Sequence, residues 1–464
     1  MANEFPYAER FGVHRVLPER PTSHEEILAE LTAMAQAEDA AWEDGSCSGT
    51  MYCGDHEHYD FMTQAFGKFG HVNVLQRDIC PSATVFEGEI VAMALSLFHP
   101  EAITGSTPAG SVTSGGSESI VSALLAYRDQ ARAERGIERP NFVKPLSAHP
   151  AFDKGGHLFG IEVRDAPIDP ETTGADVDAM ADLIDDDTIA IVGSAGNYGY
   201  GTIDPMADLS ELAVDRGIGM HVDGCLGGFI LPFGEMLGYE PIPPFDFRLP
   251  GVTTISADTH KYGYGFKGTS TLLFRDESLR RCLYFFKTDW NGGKYMSPGI
   301  AGSRSGGLLA ATWSSMVHLG REGYLERARR VFETSFAMQD AVRSHPELRI
   351  LGRPTFCFAF TSDKLDIYHV NDFMKGRGWR FNGLQYPDAL HMAVTGPQTQ
   401  PGVADRFAAD LAEAIPYARE HAGEPPHTGA IYGGAPGGAT PEVDGFIKDV
   451  MAGLLDTMQS VPPE

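Results

Sequence analysis

Apolar residues along this chain fall into two alternating patterns. Short runs at 189–192 (Ile-Ala-Ile-Val), 219–222 and 270–274 are nearly free of charge. They have the length of strands buried on both faces. Between them the apolar positions take helical spacing, as at Ile120, Val121, Leu124, Leu125 and Tyr127. From about 61 to 310 this alternation predicts a mostly parallel sheet covered by helices, an α/β fold that forms the large domain. Ligands in such sheets bind beyond the carboxyl ends of the strands. Residues 1–60 read as an arm with one amphipathic helix, whose apolar side carries Ile27, Leu28, Leu31, Met34 and Ala35. A helical region over 309–332 leads into a smaller α+β C-terminal domain, 311–464, with a strand-like stretch at 355–360. The Pro/Gly-rich 423–438 reads as a loop, and no internal repeat is visible.

Four places on this frame carry chemistry. In the run 255–263, a strand-like lead stops at Ser256-Ala-Asp-Thr-His-Lys261 and then Tyr-Gly. A lysine at the mouth of a buried strand is expected to have its amine pKa lowered by desolvation, which would free it to attack carbonyls. Upstream, 218–225 reads as a buried strand ending in Asp223, a carboxylate suited to pairing with a pyridine nitrogen. Thr113-Ser-Gly-Gly-Ser-Glu118 opens a helix, so Gly115, Gly116 and Ser117 sit where backbone N–H groups and the helix dipole bind phosphate. His149 follows the strand-like 141–143, and an imidazole there can stack on a pyridine ring. Taken singly, a loop lysine, a helix-capping Asp, a plain Gly-rich loop and a structural histidine are alternatives. Together, in this order, they favour pyridoxal 5'-phosphate. Cys225, two residues past Asp223, either packs on the cofactor or is an inert buried thiol.

These residues belong to longer matching stretches. They include Ser256-Ala-Asp-Thr-His-Lys-Tyr-Gly-Tyr264 with Lys267-Gly268, Thr288-Asp-Trp-Asn-Gly-Gly293, and Ala301-Gly-Ser-Arg304. His221-Val-Asp-Gly-Cys-Leu-Gly-Gly-Phe229, Ser147-Ala-His149, Ser48-Gly49 with Tyr52, Gly320-Arg-Glu-Gly-Tyr324 and Gly429-Ala-Ile-Tyr-Gly433 complete the set. On them the chain, from about 45 to 435, resembles the sphingosine-1-phosphate lyases, in the fold-type-I pyridoxal phosphate enzymes that also include the group II amino-acid decarboxylases. The resemblance implies a transferase-like fold and a Schiff-base role for Lys261, with His260 beside the cofactor. It brings Tyr52 and Tyr432 to the site and makes Lys267 a point charge for substrate phosphate. It also implies a homodimer with shared active sites, in which Ser303 donates its hydroxyl to the cofactor phosphate from the partner subunit. The implied substrates are phosphorylated long-chain amino alcohols, split between Cα and Cβ into a fatty aldehyde and phosphoethanolamine.

One stretch departs from the family. Asn73-Val-Leu-Gln-Arg-Asp-Ile79 carries Gln76 where the family has a histidine that helps hold substrate phosphate, and Arg77 next door offers a positive charge with good phosphate geometry. An amino-acid decarboxylase or another aldehyde-lyase is the alternative. The formal charge of −27 in 464 residues argues against nucleic-acid partners and anionic membrane surfaces. Six scattered cysteines fit neither a disulfide framework nor a zinc site, so no metal is expected. The N-terminal residues lack an apolar signal core, and no apolar stretch is long enough for a bilayer, so a soluble, cytoplasmic, bacterial-type form is expected.

Overall fold

The computed structural model describes residues 5–429 and 441–462. Seven strands form the main sheet: β1 (Ala109–Thr113), β2 (Asn141–Pro145), β3 (Glu162–Ala166), β4 (Thr188–Ser194), β5 (Gly219–Gly224), β6 (Thr254–Ala257) and β7 (Ser270–Phe274). Their order is β1-β7-β6-β5-β4-β2-β3. Every strand pair is parallel except the two that β7 makes with β1 and β6. The buried runs at 189–192, 219–222 and 270–274 fall on β4, β5 and β7, and these strands are almost wholly buried, as two helical layers require. The carboxyl ends of β1, β2, β5 and β6 therefore open on the same edge. β7 returns the chain from that edge without moving it to the other end of the sheet.

A second, antiparallel sheet holds β10 (Arg349–Ile350), β11 (Cys357–Thr361), β12 (Asn382–Leu384) and β13 (Ala389–Ala393) in the order β10-β11-β13-β12. The helix Gly306–Arg343 joins the two sheets. It is broken once, at Gly320, whose φ of 54° and ψ of −173° are non-helical. Side chains other than glycine rarely take that φ, so the kink has a sequence cause. Past it, Phe332 is fully buried, its ring centroid 5.0 Å from Tyr239 and 6.3 Å from Phe356. It stitches the long helix to both halves of the core.

Among the described residues, apolar surface stays uncovered at a hairpin, at an N-terminal helix and along the helix Pro441–Met458. The hairpin β8 (Phe285–Trp290) and β9 (Gly293–Ser297) is exposed along nearly its whole length, with Phe286 at 61% and Met296 at 71%. The amphipathic helix expected near the N-terminus forms as His24–Asp39, opened by a Ser23/Glu26 capping box. Its apolar side does not reach this chain's core, for none of its residues is buried and Ile27, Leu28 and Leu31 are exposed. Among the described residues no helix is long and apolar enough to cross a membrane.

Phe332→Ala would leave a cavity between the two halves, and the expected cost is roughly 3–5 kcal/mol of stability. Chemical denaturation of the variant beside the parent measures it. A loss under about 1 kcal/mol would show that the two halves are not joined through this ring.

Candidate active site

The turn after β6 positions Lys261. Tyr264 N–H donates to the Lys261 carbonyl at 2.9 Å and Gly265 N–H to the Thr259 carbonyl at 2.9 Å, closing the chain into a compact loop. Side chains from outside hold the loop's carbonyls: Tyr324 Oη donates to Gly263 O at 2.9 Å, and His58 Nε2 lies 3.1 Å from Tyr264 O. Tyr262 beneath is fully buried and donates to Val394 O at 2.7 Å.

Lys261 Nζ lies 3.0 Å from Asp258 Oδ2, and Asp258 is almost completely buried. Here the expectation of a lowered lysine pKa is overturned. Burial does push the amine down, but the Asp258 carboxylate outweighs it and holds the pKa above the ordinary lysine value. Desolvation wins instead at Lys267, six residues on. Although its side chain is partly exposed, burial of the ammonium and repulsion by Lys261 lower its pKa to about 8, against a smaller upward pull from Asp258. Lys267 Nζ stands 4.6 Å from the Tyr52 ring centroid and donates to His260 O at 3.4 Å. Tyr52 packs edge-on against Tyr262 at 5.1 Å, and burial raises its phenol to about 12.

The Gly-rich helix start comes directly onto this cluster. The helix Gly116–Arg135 begins over Asp258, Cys225 and His260. A Cβ on Gly116 would stand 2.8 Å from Asp258 Oδ2 and from Cys225 Sγ, and one on Gly115 3.4 Å from His260 Cε1. Any side chain at Gly116 would force Asp258 or Cys225 to move. Ser117 is exposed in the first turn. At the end of β5, Asp223 Oδ1 accepts from Cys225 N–H at 3.0 Å and from Ser256 Oγ at 3.3 Å. Ser256, the register partner of Asp223 on β6, also lies 3.2 Å from His221 Nε2 and 3.1 Å from Cys225 Sγ. Burial lowers the His221 pKa to about 4, so this ring is neutral, and the same burial pushes the Cys225 thiol well up, so it is an un-ionised packing group. His149 is exposed just past β2, its Nδ1 accepting from Ala151 N–H at 3.1 Å.

The buried polar atoms Asp258 Oδ1, His260 Nδ1 and Ser147 Oγ have no hydrogen-bond partner. Unsatisfied groups beside a helix N-terminus, an amine and a strand-end carboxylate fit a ligand with a phosphate, an aldehyde and a ring nitrogen. The residues suit pyridoxal phosphate.

Other expected residues lie apart from this cluster. Arg77 is tied to Glu87, which also takes Arg304 at 2.7 Å, so two guanidinium groups share one carboxylate and a net positive charge remains there. Gln76 is exposed, and Ser303 Oγ accepts from Asn73 Nδ2 at 3.0 Å. A cavity of about 730 Å³, lined by Arg77, Glu87, Thr113, Tyr284, Met296 and Arg304, lies on this side and does not include Lys261. Tyr432 falls outside the described residues. Sequence reasoning gave no role to Asp258 or Ser256, although both stand inside the motif. It also passed over Tyr198, which follows β4 at the same sheet edge and is near enough to raise the Tyr52 pKa. The strand-end rule was the available signal for Tyr198.

Comparison with known proteins agrees with this geometry. The model of the pyridoxal-dependent decarboxylase conserved domain matches residues 6–359. The chain is 41% identical over 427 residues to the sphingosine-1-phosphate lyase of Dictyostelium discoideum, covering 91% of this chain and 79% of that one. It is 43% identical to the Arabidopsis thaliana sphingosine-1-phosphate lyase, covering 90% and 77%. The solved structure of a Burkholderia pseudomallei sphingosine-1-phosphate lyase is 57% identical, with a TM-score of 0.93 over 99% of this chain and 100% of that one. A Lactobacillus brevis glutamate decarboxylase, 22% identical with a TM-score of 0.73 over 89% and 96%, shares the fold.

The shifted pKa of Lys267 has a chemical readout. In cofactor-free protein at pH 8, an amine-acylating reagent should modify Lys267 ahead of Lys261, because only the neutral amine reacts and only Lys267 has its pKa lowered. Peptide mapping of partially labelled protein checks it. Lys261 labelled first would contradict the electrostatics described above.

Proposed function

The chain belongs to the pyridoxal-dependent decarboxylase-domain family and, within it, to the sphingosine-1-phosphate lyases, and from that premise we propose how its residues divide the work. It is a pyridoxal phosphate-dependent lyase. In our reading it cleaves the Cα–Cβ bond of phosphorylated long-chain amino alcohols, giving a fatty aldehyde and phosphoethanolamine. The observation that supports the residue roles best is the meeting of Lys261, the Gly115–Gly116 helix start and Asp223 at one edge of the sheet.

When bound, pyridoxal phosphate supplies an electron sink for the pair left on Cα as the bond breaks. Lys261 would hold it by its amine, and Gly115, Gly116, Ser117 and His260 would take its phosphate. Asp223 would keep a proton on the ring nitrogen, and His149 would cover the ring face. Cys225 and Ser256 fix Asp223 from behind. With its pKa near 12, Tyr52 stays protonated at neutral pH and can donate a hydrogen bond to a substrate oxygen. Lys267, below its pKa of about 8, offers a positive charge at the mouth of the site for the substrate phosphate.

We also read the chain as a homodimer. The exposed hairpin, the uncovered helix His24–Asp39 and the cavity beside Arg304 support a seat for a second copy, with Ser303 facing the partner's cofactor phosphate. The division into an arm (1–60), a cofactor domain (61–310) and a small domain (311–464) is part of the same reading, as is a cytoplasmic location.

Offered sphingosine 1-phosphate, purified protein should release a long-chain aldehyde, and Lys261→Ala should release none. Carbon dioxide from an amino-acid panel, with no aldehyde, would replace this reading by a decarboxylase.

Removing one charge-assisted contact to phosphate costs roughly 1.5–3 kcal/mol, so Lys267→Ala should lose about ten- to a hundredfold in kcat/KM, mainly through KM. The wild-type KM should rise as pH passes about 8, where Lys267 becomes neutral. Equal turnover of phosphorylated and unphosphorylated amino alcohols would remove Lys267 from this role.

A further inference from the structure

Arg327 lies on the part of the long helix beyond Gly320, behind the site rather than in it. Its Nη2 is 2.9 Å from Asp55 Oδ2, and Nη1 donates to Cys53 Sγ at 3.5 Å. Its guanidinium carbon stands 5.0 Å from the Tyr264 ring centroid. The Arg327 side chain is 21% exposed and that of Asp55 40%, so the arginine is sheltered while the carboxylate still meets water.

Each partner is one to three residues from a group with a chemical role. Cys53 and Asp55 directly follow Tyr52, and Tyr264 closes the turn that carries Lys261. Asp55 has a second duty: its Oδ1 accepts from His58 N–H at 3.2 Å and caps the helix His56–Phe69. The other end of the Tyr52 segment is held by the loop that follows β13. Thr395 Oγ1 donates to Met51 O at 2.9 Å, and Gly396 N–H donates to Tyr52 O at 2.9 Å. Residues 51–55 thus form a short bridge fixed at one end by the 395–396 loop and at the other by Arg327. Tyr52 is the last residue held from the 395–396 side, and its ring, against Tyr262 and Lys267, adjoins the stretch that Arg327 holds.

We propose that Arg327 is a positioning residue: it locks the Tyr52 segment to the Lys261 turn and so sets where the Tyr52 hydroxyl stands. An arginine suits the task because its planar fork reaches Asp55 and Cys53 together while its face lies on Tyr264. A lysine can satisfy Asp55 and little else. The proposal rests on the reading of Tyr52 as a site residue.

The test is a double-mutant cycle in the holoenzyme with sphingosine 1-phosphate as substrate. Arg327→Ala should lower kcat/KM by about tenfold, and Arg327→Lys should recover part of that. In a Tyr52→Phe background, itself strongly impaired, Arg327→Ala should cost less than about twofold more, because misplacing an absent hydroxyl has no further effect. Wild-type kinetics in Arg327→Ala would overturn the proposal, and so would the same fold-loss in both backgrounds, which marks a general structural role. A fully active Tyr52→Phe would fail the reading of Tyr52 and take the proposal with it. If Arg327→Ala does not fold, Arg327→Lys replaces it in the cycle with the same criterion.

Discussion

The buried contact between Asp258 and Lys261 is the interaction on which the site's arrangement turns. A carboxylate this deep in the protein is costly unless matched, and the match is supplied three residues later in the same turn. Because Asp258 also backs onto Gly116, the pair fixes how closely the helix Gly116–Arg135 approaches the end of β6. The sheet topology makes that approach possible: β7 runs antiparallel between β1 and β6, so both of those strands end on the same edge. Amine, helix N-terminus and strand-end acid are therefore brought together by strand order, and no long loop has to fold back to deliver them.

Much of this was legible in the amino-acid sequence because the chemistry lies at strand ends, where an apolar run stopping at a polar residue marks both the element and the site. Lys261 and Asp223 were found that way, and the Gly115–Gly116 pair from the helical spacing of the apolar residues after it. What escaped was interaction between side chains. The sequence shows a lysine beside a buried strand, and burial alone argues for a lowered pKa; that Asp258 turns back onto the amine is a property of the turn's geometry. That Arg77 shares Glu87 with Arg304 was equally hidden, because Glu87 is brought to both only once the helix Ser82–Leu95 forms. The helix His24–Asp39 was readable as amphipathic, but nothing in its pattern says whether the surface that covers it belongs to the same chain.

The two lysines illustrate how a short segment can hold opposite electrostatic environments. Lys261 faces a buried carboxylate, and Lys267 faces an aromatic ring and another ammonium. Six residues separate them, yet the pKa of one is raised and that of the other is lowered to about 8. The difference comes from Asp258, which lies close to the first and is felt only weakly by the second.

The Asp258 contact also bears on self-inflicted chemical damage. An ammonium has no lone pair to offer, so a lysine held as its conjugate acid is a poor target for aldehydes. A lyase of this kind makes a reactive aldehyde a short distance from its own amines. With Asp258 beside it, the Lys261 amine must give up a proton before it condenses with any aldehyde, cofactor or product alike, so the turn sets one threshold for both.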